Sequence, residues 1–144
     1  MILFEVNVRY DMAMENGLVK KTTEACIIDA QSFAEAEARA TAETAILSVG
    51  EVEVMAVKRS NITEVVIPPA GFNDRNKFFK AKLNFITIDE KTAKEKKQTV
   101  YYLVNASDIN DAHKVVTAHM DGSVMDYEIV TLDETKIVEY YSHG

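Results

Sequence analysis

The three histidines and the single cysteine are the side chains of this 144-residue chain best suited to acid–base, metal or nucleophilic chemistry. His113 and His119 lie six positions apart on a predicted helix, about 120° away from convergence, whereas a helical metal pair needs a spacing of four. His143 lies in the C-terminal tail, and Cys26 belongs to an apolar segment that is predicted to be a buried strand. These patterns predict no catalytic residue, no metal site and no cofactor.

Phosphate-binding loops are also not predicted. The five glycines are scattered along the chain, and none belongs to a glycine-rich run in front of a helix. A loop that cradles phosphates needs such a run, because its backbone amides must approach the ligand closely. Nucleotide hydrolysis of the P-loop type and dinucleotide binding of the Rossmann type are therefore not expected.

A concentration of basic side chains is the strongest candidate for ligand binding. The net charge is −7, yet residues 75–97 hold eight basic and three acidic side chains. Two lysines of this segment alternate with apolar residues, which predicts that they share the solvent face of one strand. The predicted ligand-binding residues are Lys58, Arg59, Lys80, Lys82, Lys94 and Lys97. The alternative interpretation is a solvated strand face whose charges protect a sheet edge from aggregation.

Composition limits the class of protein further. The acidic balance argues against sequence-independent coating of DNA, which needs a basic surface to release counterions. The apolar runs are too short for a membrane-spanning helix, and the first residues do not follow the basic-then-apolar pattern of a secretion signal. A lone cysteine cannot form an internal disulfide. We therefore expect a cytoplasmic protein with no membrane partner.

The elements that must position these side chains occur twice in the chain. Four segments of the first half match four segments of the second half, about 75 residues further on. They are residues 4–10 and 79–85, 26–30 and 102–106, 48–54 and 123–129, and 62–66 and 137–141. This agreement in order and separation indicates two copies of one supersecondary unit.

Local signals assign structure to each copy. Alternating apolar residues predict strands, Ser32 with Glu35 forms a capping box in front of an alanine-rich helix, and Asp108 is the predicted N-cap of the second helix. The residues 89–97 are predicted to form a charged hairpin loop. The fold class is therefore α+β, a duplicated β-β-α-β(β) unit with antiparallel sheets, two helices and pseudo-twofold symmetry. The first repeat spans residues 1–67, the linker 68–76 and the second repeat 77–144, with one shared core.

Several segments resemble a known family. They are residues 4–10, 14–17, 20–24, 29–39, 58–59, 85–91 and 126–129. Together they are similar to the domain-of-unknown-function family 4494, and the resemblance spans nearly the whole chain. It implies a phage or prophage context and an intracellular accessory role. Because that family has no established activity, no catalytic residue can be carried over from it. The order of hairpin, helix and strand is also similar to the ribosomal LX-type module, from whose strongly basic composition this acidic chain departs.

The leading hypothesis is a non-enzymatic, phage- or prophage-encoded binding protein that occupies a host protein or sequesters a small anionic, nucleotide-like ligand. The alternative is an RNA- or single-stranded-DNA-binding module that uses the basic face of residues 75–97, with tyrosines that stack on bases. An enzyme that acts on small molecules ranks third. Exposed strand edges also suggest a homodimer.

Overall fold

The computed structural model describes residues 1–69 and 74–143. Within these residues, eight strands and two helices follow one another along the chain. They are β1 (Leu3–Ala13), β2 (Val19–Asp29), α1 (Phe33–Ala45), β3 (Glu53–Arg59), β4 (Glu64–Val66), β5 (Lys77–Ile88), β6 (Glu95–Ala106), α2 (Ile109–Met120), β7 (Asp126–Glu134) and β8 (Ile137–Tyr141).

The strands form two four-stranded sheets, in the orders β3-β1-β2-β8 and β4-β6-β5-β7. Most neighbours are antiparallel, whereas β8 pairs with β2 and β4 pairs with β6 in parallel. The predicted α+β class with two antiparallel-dominated sheets and two helices is confirmed. The layout of the sheets agrees with a duplicated β-β-α-β(β) unit.

The compact units differ from the sequence repeats by one strand each. Unit 1 consists of Met1–Asn61 and Lys136–Gly144, and unit 2 consists of Ile62–Thr135. The final strand of each repeat therefore belongs to the sheet of the other. Of the predicted linker 68–76, residues 70–73 lie outside the described part of the chain, and the shared core stays a prediction.

The core of unit 1 is the face of its sheet that carries α1. Phe4, Val6 and Val8 alternate along β1 and are almost fully buried. Ala36 and Ala40 of α1 have no exposed surface, and their small side chains let the helix approach the sheet closely. Burial of a large apolar side chain contributes about 1.5–3 kcal/mol, so this face is the main source of stability for the unit.

The core of unit 2 repeats this arrangement. Ala81 and Leu83 of β5 and Val104 of β6 are fully buried beneath α2, which contributes Val116 and Met120. The alternation along β5 leaves the intervening side chains on the opposite face of the sheet. The sequence pattern of period two therefore predicted which side chains of β5 face the helix.

The two helices begin in the same way. The hydroxyl of Ser32 accepts a hydrogen bond from the amide of Glu35 at 3.1 Å, and the Glu35 carboxylate accepts one from the amide of Gln31 at 3.1 Å. At α2, the Asp108 carboxylate accepts from the amide of Asp111 at 2.7 Å. Both predicted N-caps are confirmed, and each contributes about 1 kcal/mol.

Both sheets also contain a β-bulge at the matching position. The pairing of β1 with β3 shifts between Asn7 and Val8, which leaves Met55 as the extra residue. The pairing of β5 with β7 shifts between Lys82 and Leu83, which leaves Val130 as the extra residue. A bulge lets two residues that are three positions apart face the same side of a sheet. The core residues of that spacing are Val54 with Val57, and Ile129 with Leu132.

The predicted charged loop is shorter than expected. β5 continues to Ile88 and β6 already begins at Glu95, so only residues 89–94 form the turn. The amide of Asp89 donates to the carbonyl of Lys94 at 2.9 Å and closes the hairpin. The prediction of a loop over 89–97 was therefore wrong at its second end, and Lys97 lies within β6.

Candidate functional site

The predicted basic site is divided between the two units. Lys58 and Arg59 lie at the end of β3, an edge strand of unit 1. The other predicted residues belong to unit 2. They are Lys80 and Lys82 on β5, Lys94 in the hairpin turn and Lys97 on β6.

Lys80 and Lys82 lie on the face of β5 opposite the core residues Ala81 and Leu83, as the alternation predicted. The ammonium of Lys80 lies 4.8 Å from the centre of the Tyr101 ring, a cation–π distance. Lys82 has no ion pair within the described residues.

Neighbouring carboxylates offset part of the basic charge. Lys58 forms a 3.0 Å ion pair with Glu5, and Lys97 forms one of 3.1 Å with Glu128. Asn84 and Lys97 both donate to Glu128, and these hydrogen bonds lower the pKa of its carboxyl. The ligand-binding role of the six basic residues stays a prediction, and two of them already have a carboxylate partner.

A groove of about 540 Å³ in unit 2 is a second candidate site. It lies between one face of α2, the segment that follows β4 and the segment that precedes β5. Its apolar lining consists of Val66, Ile67, Pro68, Pro69, Val115 and Ala118, and its polar lining of Arg75, Asp111, Lys114 and His119. The volume falls within the range of about 300–1,000 Å³ that is typical of small-molecule sites.

Arg75 and Asp111 fix one end of the groove. The Arg75 Nε atom donates to Asp111 Oδ2 at 3.1 Å, Nη2 lies 3.4 Å from Oδ1, and Nη1 donates to the carbonyl of Pro69 at 3.2 Å. The amide of Ser107 donates to Asp111 Oδ2 at 2.9 Å. The hydrogen bonds from Arg75 and from the Ser107 amide lower the pKa of Asp111 to about 2, so this carboxylate stays charged and holds Arg75 in place.

His119 marks the other end of the groove. Its Nε2 atom lies 2.9 Å from Glu64 Oε1, and its ring contacts that of Tyr102 edge to face at 5.8 Å. Burial and the neighbouring Glu64 raise the pKa of Tyr102. Between these two ends lies Lys114, which is exposed and has no ion pair within the described residues. The groove therefore presents one unpaired cation above an apolar lining.

The corresponding position of unit 1 is filled by an arginine. Arg39 and Val115 are each the seventh residue of their helix, counted from Phe33 and Ile109. The guanidinium of Arg39 donates to the carbonyls of Asp29 and Ser142 and so connects α1 to the segment that follows β8. Val115 is too short to make such a bridge. The two repeats thus share a fold but differ in the side chain at this helix face.

Sequence reasoning did not identify this groove. The sequence pattern predicts no catalytic or metal-binding role for His119, and Arg75 is the first residue of the basic segment 75–97. The signal available in the sequence was the stripe formed by residues 111, 114, 115, 118 and 119, which follow helical spacing on one face of α2. The surroundings of this stripe depend on β4. The spacing of residues in the sequence does not show that β4 joins the sheet of unit 2.

Cys26 and Tyr10 are poor nucleophiles. Cys26 is buried, and desolvation raises the pKa of its thiol to about 12, which keeps it protonated. Burial and the hydrogen bond to Glu24 raise the pKa of Tyr10 to about 12. Among the residues that the structure describes, no three of the His, Cys, Asp or Glu side chains cluster in a way that could hold a metal ion.

No curated protein matches the chain. The comparisons give no support to a likeness to the ribosomal LX-type module. Neither of the two helices in the described parts of the chain is long and apolar enough to cross a membrane.

The matching family model is described as Domain of unknown function (DUF4494), and it covers residues 2–143. This range includes both repeats and all residues of the groove. It also includes every segment on which the resemblance was based. The chain therefore belongs to the DUF4494 family.

Proposed function

We propose that this chain is a non-enzymatic binding protein whose α2 groove holds a small organic anion. The observation that carries the proposal is Lys114, a cation without a carboxylate partner in the described residues, at the border of an apolar groove of about 540 Å³. An apolar body would pack on Val115 and Ala118, and a carboxylate or phosphate would meet the ammonium.

The charges at the fixed end of the groove favour a ligand with one anionic group. Because Arg75 is held by Asp111 and Pro69, its guanidinium contributes a positive field without needing to be ordered by the ligand. Asp111 offsets much of that charge locally. Lys114 is then the cation that gains most from an anionic partner, and we expect one charged group per ligand to be recognised directly.

The groove offers little for catalysis. Among the described residues that line it, none is a serine, threonine or cysteine that a base could activate. The Nε2 atom of His119 lies 2.9 Å from Glu64 Oε1, and the described lining offers this histidine no hydroxyl or thiol nucleophile to activate. This arrangement favours binding over turnover.

The other partners expected from the sequence stay predictions. No observation on the described residues supports a host protein, a homodimer or a phage context. The nucleic-acid alternative has less support than the groove, because carboxylates already pair with Lys77, Lys96 and Lys97 of the basic face 75–97. A basic surface that keeps its carboxylate partners releases fewer counterions on binding.

A ligand panel tests the proposal. We expect one member of a panel of monocarboxylates, aryl phosphates and nucleoside monophosphates to raise the melting temperature by about 5–10 °C at a hundredfold excess over its Kd. Lys114→Glu is expected to remove at least nine-tenths of that affinity by reversing the charge at the groove. The measurement is differential scanning fluorimetry followed by titration calorimetry.

Two matched controls separate the groove from general charge and folding effects. Lys20→Glu makes the same charge change in the exposed hairpin of unit 1 and is expected to leave affinity within twofold. Ala118→Phe would block the groove, and Ala42→Phe places the same side chain at the same tenth position of α1. Equal loss of affinity in both members of either pair would contradict the groove as the binding site.

A further inference from the structure

The chain passes from one sheet to the other within three residues. The amide of Ser60 donates to the carbonyl of Leu3 at 2.8 Å, in unit 1, and the amide of Thr63 donates to the carbonyl of Tyr101 at 2.8 Å, in unit 2. β4 then continues beside β6 in parallel. The first repeat thus supplies the edge strand beside β6 in the sheet of unit 2.

The second repeat does the reverse in the same way. The amide of Thr135 donates to the carbonyl of Phe78 at 2.9 Å, in unit 2, and Ile137 then pairs with Ala25 of β2, in unit 1. Ser60 and Thr135 hold matching places in the two repeats, as do Leu3 and Phe78. Both repeats therefore pass their final strand to the other sheet through the same backbone arrangement.

The length of the connection prevents a repeat from filling its own sheet. β3 and the edge beside β2 are three strand positions apart, which is about 14 Å at the usual spacing of strands. Only three residue steps separate Arg59, the last residue of β3, from Ile62, which matches Ile137 of β8. Three steps span at most about 11 Å. A single repeat therefore exposes an edge that its own final strand cannot reach.

The two final strands suit either edge. Ile62 lies just before β4 and Ile137 is the first residue of β8, and the side chain of each is buried, with 7% of the residue exposed. Near the other end, Val66 packs into the core of unit 2 and Tyr141 packs against the core of unit 1. The pairing places Glu64 opposite Tyr102 and Glu139 opposite Cys26, at matching positions of the two repeats.

We propose that the edges beside β2 and β6 are strand-docking sites whose partner is the final strand of a second copy of the same repeat. The present chain contains two such copies, each of which donates its strand to the other. The peptide bond between the repeats is then not needed to hold them together. This inference depends on the backbone pairing and is independent of the function proposed for the groove.

Cleavage of the intact protein tests the proposal. Residues 70–73 are replaced by a protease recognition sequence, and the folded chain is cut there. We expect the two fragments to elute together at the mass of the intact chain in native gel filtration and to separate only in denaturant. Hydrogen exchange followed by mass spectrometry should show β4 and β8 protected to within tenfold of the uncut chain.

The control carries one proline at the matching position of each exchanged strand, Val65→Pro with Tyr140→Pro, because proline cannot donate the backbone hydrogen bond that joins an edge strand to its neighbour. Cleavage of this variant is expected to give separate fragments. Wild-type fragments that part or unfold on cleavage would overturn the proposal. Loss of protection in β4 and β8 of the cut wild-type protein would do the same, whether or not the proline variant folds.

Discussion

Deletion of Val130 is expected to lower the free energy of unfolding by about 3 kcal/mol. Val130 is the extra residue of the bulge between β5 and β7, and it allows Ile129 and Leu132 to face the same core. Without it, a regular strand would turn one of these side chains and its neighbours to the opposite face. Two half-buried apolar side chains at about 1.5 kcal/mol each give the expected size. Urea unfolding followed by circular dichroism measures it.

Substitution of the same residue is the control. Val130 is 44% exposed, so Val130→Thr keeps the strand length and is expected to change stability by less than about 0.5 kcal/mol. The matching pair in unit 1 is deletion of Met55 against Met55→Thr, and Met55 is 50% exposed. A deletion no more harmful than its substitution would show that the bulge does not set the register.

The local elements were largely predictable from the sequence, because alternation and capping are short-range signals. The strand over residues 2–10, the capping box at Ser32 and the N-cap at Asp108 all have their physical cause within a few residues. The duplication was visible for the same reason, since each matching segment repeats such a local signal. These features placed the chain in the α+β class.

The extent of the second hairpin was harder to predict. Residues such as Lys96 and Lys97 lie in β6, yet no alternating apolar pattern marks them. Both faces of the hairpin are exposed at this end, so backbone pairing continues without a buried side. Lys96 pairs with Asp89 of the turn at 3.5 Å, and Lys97 pairs with Glu128 of β7 at 3.1 Å, so ion pairs take the place of apolar contacts here.

The groove and the strand exchange depend on distant parts of the chain. Arg75 and Asp111 meet across 36 residues, and β4 meets β6 across a similar separation. Sequence spacing does not tell which sheet a short strand joins, and three-residue β4 has no alternation of its own to indicate it. The basic segment 75–97 is apparent from the sequence because charge depends only on residue type, whereas the groove is formed by side chains that meet only in the folded chain.

Replacement of Asp111 by asparagine is expected to lower the free energy of unfolding at pH 7 by about 2 kcal/mol. The pKa of Asp111 falls from 3.8 to about 2 in the folded protein, and each unit corresponds to about 1.4 kcal/mol. The side chain is 7% exposed, so solvent screens its bonds to Arg75 only weakly. Asparagine keeps the shape of the side chain but loses the charge that Arg75 and the Ser107 amide stabilise.

The dependence of stability on pH follows from the direction of this pKa shift. Because the folded pKa lies below the unfolded one, the stabilisation is fully present above about pH 4 and is lost as the pH falls towards 2. Wild type and Asp111→Asn should therefore differ most at neutral pH and converge near pH 2. Asp108→Asn removes the same charge from the same helix end, yet asparagine is an equally good N-cap, so its stability should stay within about 0.5 kcal/mol of wild type. Equal losses in the two variants, or a constant difference from pH 7 to pH 2, would mean that the pairing of Arg75 with Asp111 does not stabilise the fold through charge.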